Sequence, residues 1–351
     1  MFDPDLDTEQ VYTIDPILPT PATARGMDDE GGSPFLFTYS ILGERFSEYS
    51  MRVSVYYEFL NNKWNRLRRL TRFFLDSNWE LFDPLMQELI NEELDDINPL
   101  IRYDVLYRLY DQFLTPLCVY PLHINMRREW NEFFLPRGAN ADAISSFQEV
   151  LVTDPDFLIC RESLFDCISQ YINVGDAVLP GVILDLYPQD HSQYGDLRIY
   201  RDNFPELRDL YIQCFEACTQ SFTFIIEAVN VVNRGDPSAY ATFPEIHRTP
   251  NNRNQFNRLT AEKKLFYFRE LTVWDGCLTS TMDRQLRNKI GHRGINHHLP
   301  SGEIRVDGQP PTPYIEFVRS VERICYPLIS CLNALKIAEI HHIIRSRDDS
   351  T

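Results

Sequence analysis

The 351-residue sequence has no run of ~18 uninterrupted apolar residues; its best stretch, Phe222 to Val232, is interrupted by Glu227 and Asn230. No membrane span is expected. The first ten residues, MFDPDLDTEQ, lack the basic start and apolar core of a secretory signal. Eight cysteines are scattered through apolar segments without a Cys-x-x-Cys pair, so zinc or thiol-redox chemistry is not expected and buried, reduced thiols in a cytoplasmic protein are. Glycine-rich phosphate loops, a Gly-x-Ser-x-Gly elbow and a kinase motif set are also missing. Basic residues fall short as well, 34 against 51 acids for a net charge of −17. An anionic partner must therefore meet a local basic surface.

With 44% apolar and 24% charged residues, the composition is that of a globular chain able to bury a core. Residues 1–35 carry five prolines, eight acids and one arginine, which reads as an acidic disordered tail. Without it and the terminal Asp348-Asp349, residues 36–347 stand at −8. From about 48 onward, apolar residues recur at helical spacing: Tyr56, Phe59, Leu60, Trp64, Leu67, Leu70 and Phe74 predict one long amphipathic helix. Similar patterns cover 78–94, 100–116, 143–151 and 157–172. Residues 36–190 thus read as a helical domain of unknown role, sensor or regulator, ending at a polar stretch from Tyr187 to Asp196.

The second half, 200–346, predicts an up-down four-helix bundle. Long helices span Pro205 to Asn233 and Pro313 to Arg345. Between them lie helices from Ala261 to Val273 and from a Ser280-x-x-Asp283 capping box. A polar insertion at 235–257 and a turn-rich segment at 294–312 complete the plan, so the fold class is all-α.

One stretch carries chemistry. Arg287, Asn288 and His292 sit on one short helix, with Asn288 and His292 four apart on a shared face and Arg287 able to reach round. Arginine offers a fork of donors to phosphate oxygens, and histidine exchanges protons near neutral pH. Asp283, one turn before Arg287, is placed to orient its guanidinium. Gly291 suggests a close backbone approach across an interface or the end of the helix.

Residues Arg287-Asn288-Lys289-Ile290-Gly291-His292 resemble the signature of the HEPN superfamily: an Arg, often followed by Asn, Asp or His, then four to six residues and a His, within a four-helix bundle. The resemblance covers about residues 200–346. It implies a metal-independent endoribonuclease needing no cofactor, a homodimer through the bundle with two motifs at one cleft, and internal attack by the RNA 2′-hydroxyl. His292 would transfer the proton, Arg287 clamp the phosphate and Asn288 orient it. Toxin or abortive-infection biology against phage is implied too, with a possible antitoxin or sensor partner. Position 294 is Gly rather than the tyrosine of the subgroup that pairs with nucleotidyltransferase antitoxins. A HEPN-like adaptor without catalysis, binding nucleotide, RNA or protein, is the alternative.

Residues 248–305 hold eleven cations against five acids. This basic island predicts RNA contacts at Arg284, Lys289, Arg293, Arg258, Lys263 and Lys264, with Asn251, Asn252, Asn254, Tyr267 and Trp274 available for bases. A second run, Lys63, Arg66, Arg68, Arg69 and Arg72, reads as a solvated face balanced by acids such as Glu92, Glu93, Asp95 and Asp96. The His297-His298 and His341-His342 pairs lack a completing ligand set, so no metal site is expected. Asp185, Asp190, His191 and Asp196 read as loop residues.

Overall fold

Apolar residues at three- and four-residue spacing fold as helices along almost the whole chain, and the molecule is all-α with two small antiparallel sheets. The structure is a computed structural model that describes residues 20–21, 34–134, 140–187, 197–199, 203–291, 295–298, 301–306 and 310–348. Most of the acidic tail lies outside these residues. Of its described residues, β1 (Thr20–Pro21) pairs antiparallel with β2 (Leu197–Arg198), and Pro34 and Phe35 open the first helix.

The first half contains α1 (Pro34–Leu42), α2 (Phe46–Asn62), α3 (Trp64–Leu75), α4 (Trp79–Ile90), α5 (Pro99–Leu114), α6 (Leu122–Phe134), α7 (Ala141–Leu151), α8 (Pro155–Asn173) and α9 (Gly175–Leu186). The single long helix expected from about 48 to 74 is broken at Lys63, although the apolar period runs straight through the break. Tyr56 and Phe59 of α2 and Trp64 of α3 all pack on Phe113, at ring centroid distances of 5.5, 4.5 and 5.5 Å. The two helices therefore share one ring across the break. Helices α4 and α5 start where Asn78 and Asn98 accept from Leu81 N–H and Ile101 N–H.

The second half contains α10 (Phe204–Arg234), α11 (Arg253–Asn257), α12 (Ala261–Leu265), α13 (Thr272–Thr281), α14 (Arg284–Gly291), α15 (Tyr314–Arg323) and α16 (Cys325–Asp348). The expected last helix is thus two, divided at Ile324. The helix expected over 261–273 is α12, a 3₁₀ turn over Phe266–Glu270 and the start of α13. The segment expected to be turns holds a three-stranded antiparallel sheet of β3 (Ile295–His298), β4 (Glu303–Val306) and β5 (Thr312–Pro313).

The polar boundary expected after residue 186 does not divide the packing. One hydrophobic core runs from Tyr56 to Leu335 and takes residues from both halves. Trp130 of α6 lies 5.9 Å from Trp274 of α13, and Phe157 of α8 meets Phe224 of α10 edge-on at 5.5 Å. Glu129 of α6 accepts from Val273 N–H and Trp274 N–H, so the first half caps a helix of the second. The described residues of the two halves share this core.

Asp185, expected in a loop, is buried on α9 and pairs with Arg319 and Arg323 of α15, both at 2.7 Å. Asp190, His191 and Asp196 lie outside the described residues. In the second basic run, Arg66 pairs with Glu88 and Arg72 with Asp76 and Glu162, rather than with the acids at 92–96. All eight cysteines are buried and free, as expected of reduced core thiols. Among the described residues no single helix is long and apolar enough to cross a membrane; α8 with α9 passes by length and composition only as a pair bent by 82°.

Candidate functional site

The candidate site begins with α10, a 31-residue helix whose buried face is mostly apolar. It ends where Gly235 takes φ +75° and its N–H bonds Val231 C=O. Glu216, Gln220 and Thr223 interrupt its apolar character at spacings of four and three, which aligns them along one edge. Across this edge stand α12 and α14, and between the three helices lies a cleft of about 580 Å³.

Helix α14 is capped differently from expectation. Ser280 and Thr281 close α13, their hydroxyls donating to Cys277 C=O at 2.9 and 2.8 Å. Asp283 itself is the cap, accepting from Leu286 N–H at 3.0 Å. Tyr211 of α10 donates to Asp283 C=O at 3.3 Å and fastens this corner. Ile290 is the buried anchor of α14, and Arg284, Arg287 and Asn288, at i, i+3 and i+4, line the cleft.

The carboxylate that orients Arg287 is not Asp283. Glu216 of α10 holds the Arg287 guanidinium in an ion pair, while a second guanidinium nitrogen donates to Asn288 Oδ1 at 3.4 Å. Arg284 pairs in the same way with Glu262 of α12. Lys263 and Lys264 of α12 add two ammonium groups to the wall. Lys264 is 5% exposed; its Nζ donates to Thr219 C=O at 3.3 Å and lies 5.5 Å from the Phe256 ring centre. Burial pushes its pKa below the ordinary 10.5, and Glu216 offsets part of that fall. Among the described residues, no carboxylate lies within ion-pair distance of it. The cleft therefore combines four cations with two carboxylates and several neutral donors, a composition suited to an anion.

Of the residues the sequence singled out, Arg287, Asn288, Arg284, Lys263 and Lys264 meet in this cleft. His292 and Arg293 lie outside the described residues. Lys289 turns away, its Nζ donating to Thr312 Oγ1 at 2.8 Å and tying α14 to β5. Arg258 lines a separate depression of about 220 Å³ with Arg248. Gly291 is the last residue of α14, and within the chain it faces open space among the described residues.

The base-contact candidates fare worse. Trp274 and Tyr267 are buried, the Trp274 indole donating to Met126 C=O at 3.0 Å. Asn252 caps α11 by accepting from Gln255 N–H, and its amide donates to Asn251. Cations counted along the sequence are also partly spent in space. Arg253 pairs with Glu227 and Asp154, and Arg269 with Glu245, three acids from outside residues 248–305.

Glu216, Thr219, Gln220 and Asn257 line the cleft without having been singled out. Glu216, Thr219 and Gln220 share one edge of α10, whereas Asn257 lies on α11 and reaches the cleft only through the packing of the helices. Among the described residues, no group of three or more His, Cys, Asp or Glu side chains is arranged to hold a metal. His298 shares a hydrogen bond with the Ser301 hydroxyl at 2.9 Å, and the His297 ring packs 4.0 Å from Tyr314. Compared with protein-family models, curated proteins and solved structures, the chain matches none.

Proposed function

We propose that the chain is a HEPN-type, metal-independent endoribonuclease acting as a cytoplasmic toxin or anti-phage effector. One observation carries the reading. Arg287 and Asn288 of the HEPN-like motif line the same cleft as Lys263, Lys264 and Arg284, so a phosphate there would meet several cations at once.

In this reading the RNA 2′-hydroxyl attacks the adjoining phosphorus and the bond to the 5′-oxygen breaks. Arg287, released from Glu216, clamps the phosphate oxygens as they gain charge, and Asn288 orients them. His292 takes part in moving the proton from the 2′-oxygen towards the departing 5′-oxygen. A homodimer through the second-half bundle would bring two motifs together, and residues 36–190 would act as sensor or restraint, with or without an antitoxin.

The test is cleavage of single-stranded RNA in EDTA. Wild-type protein is expected to give 2′,3′-cyclic phosphate ends, and Arg287→Ala and His292→Ala to lose at least ~100-fold in rate while keeping the native circular dichroism. Cleavage that persists in both variants refutes the reading. A second reading, a non-catalytic adaptor that binds nucleotide, RNA or protein, is favoured by the pairing of both Arg284 and Arg287 with carboxylates. Binding by wild-type protein with no cleavage under any condition would select it.

A further inference from the structure

The cationic cleft does not end at Lys264. Gln220, Asn257 and Lys264 also line a second cleft of about 330 Å³ that continues along α10 towards α8. The two hollows share this wall, and their chemistry differs. In the second, Arg253 is neutralised: its guanidinium bonds both Glu227 oxygens at 2.8 and 2.7 Å and pairs with Asp154. The exposed carboxylate of Asp156 also lines it, which disfavours a phosphate there. Ile159, 61% exposed, supplies an apolar surface. The Thr223 hydroxyl donates to Asn257 Oδ1 at 2.6 Å, which leaves the Asn257 amide N–H groups to donate elsewhere.

We propose that the second cleft is a nucleobase subsite for a single-stranded RNA whose backbone lies in the first, with the Lys264 ammonium on the shared wall holding a linking phosphate. This deepens the ribonuclease reading and rests on it for the class of ligand. The base would lie against Ile159, with its edge facing the Asn257 and Gln220 amides and the Asp156 carboxylate. A carboxylate accepts from an amino group, so adenine, cytosine and guanine are favoured over uracil, which has none. Bases in single strands present these edges freely, whereas a duplex hides them.

The experiment uses short single-stranded 2′-O-methyl oligoribonucleotides, identical except for one base in an otherwise uniform uracil strand. They keep bases and phosphates but lack the attacking hydroxyl, so binding by the full chain is read apart from cleavage. Wild-type protein should bind strands carrying A, C or G roughly tenfold tighter than the all-uracil strand, the size expected of one good base-edge contact. Asp156→Asn and Gln220→Ala, both on exposed side chains, should reduce that ratio to about twofold or less. Lys264→Met should weaken all strands alike and reduce the slope of log affinity against log salt by about 0.7, one phosphate contact on a single strand. Equal wild-type affinity for all strands, or a ratio unchanged in both wall variants, overturns the subsite. An unchanged salt slope overturns the role of Lys264. Cleavage of unmodified RNA by a protein blind to the base leaves the ribonuclease and removes the subsite. Base discrimination by a protein that cuts nothing does the reverse.

Discussion

Lys264 holds a charge that the fold does little to compensate. Its ammonium is buried, bonds one backbone carbonyl and meets no carboxylate at ion-pair distance among the described residues. Because its folded pKa lies below the ordinary 10.5, the unfolded chain binds more protons in the window between the two values, and stability rises with pH through that window. Lys264→Met keeps the volume and removes the ammonium. It should raise stability at neutral pH by about 1–3 kcal/mol, the scale of a buried polar group short of partners, and abolish the alkaline rise. Thermal unfolding followed from pH 7 to 10 checks this. A variant less stable than wild type would mean the ammonium is structural. A residue that costs stability while lining two clefts is what a binding site retains.

Asp185 and Glu322 make the complementary case, two buried carboxyls with opposite roles. Asp185 has two guanidinium partners, Arg319 and Arg323, whereas neither Glu322 oxygen has a hydrogen-bond partner among the described residues. Burial, reinforced by the charge of Asp185, raises the Glu322 pKa well above its ordinary 4.5. Folding therefore takes up a proton there. The resulting stability is complete below 4.5 and is lost as pH rises through the raised folded value. Glu322→Gln should flatten that loss and change stability by less than ~1 kcal/mol at low pH, while Asp185→Asn, which strands two arginines, should cost ~3–5 kcal/mol. Urea titrations of both variants across pH 4–8 separate the two roles.

Between elements, α9 packs closely on α15 through Gly181. A Cβ built on Gly181 would lie 2.9 Å from Glu322 Cβ and 3.2 Å from both Arg319 Cα and Val318 O, atoms that cannot swing aside. Gly181→Ala should cost ~1–3 kcal/mol by forcing the helices apart. A denaturation midpoint that does not move would mean the crossing is loose. Neither this crossing nor α9 itself was legible in the sequence, because Gly175–Leu186 is buried on every side and shows no helical period. Half-buried helices were legible: the expected 205–233 is observed as Phe204–Arg234, and 157–172 as Pro155–Asn173. What local pattern does not carry is an effect that arrives from far along the chain. Phe113 gathers Tyr56 and Phe59 of α2 and Trp64 of α3 across the break at Lys63, and Glu129 caps α13 from α6. Glu216 displaces Asp283 as the partner of Arg287 for the same reason. Arg287, Asn288 and the α12 lysines were readable because types and spacings on short helices set them, whereas Gln220 and Asn257 acquire meaning only where separate helices converge.

At the scale of the whole molecule, the shared core decides how the protein comes apart. Helices α10, α15 and α16 bury apolar faces against α5 to α9, so residues 200–351 alone would expose a surface that an isolated bundle has nothing to cover. Two packed halves with separate cores would unfold in two steps, but a main core shared by both halves predicts one. The tryptophans make this measurable: Trp64, Trp79 and Trp130 report on the first half and Trp274 on the second, with Trp130 and Trp274 in ring contact. Tryptophan fluorescence and far-ultraviolet circular dichroism should therefore give coincident urea transitions for the full chain. Residues 200–351 expressed alone should aggregate or bind hydrophobic dyes rather than fold. Two separated transitions, or a truncated chain with native-like cooperative unfolding, would show that the halves are independent. Such independence would turn residues 36–190 into a detachable regulator, whereas continuous packing requires any trigger acting there to reach the Arg287 cleft through the common core.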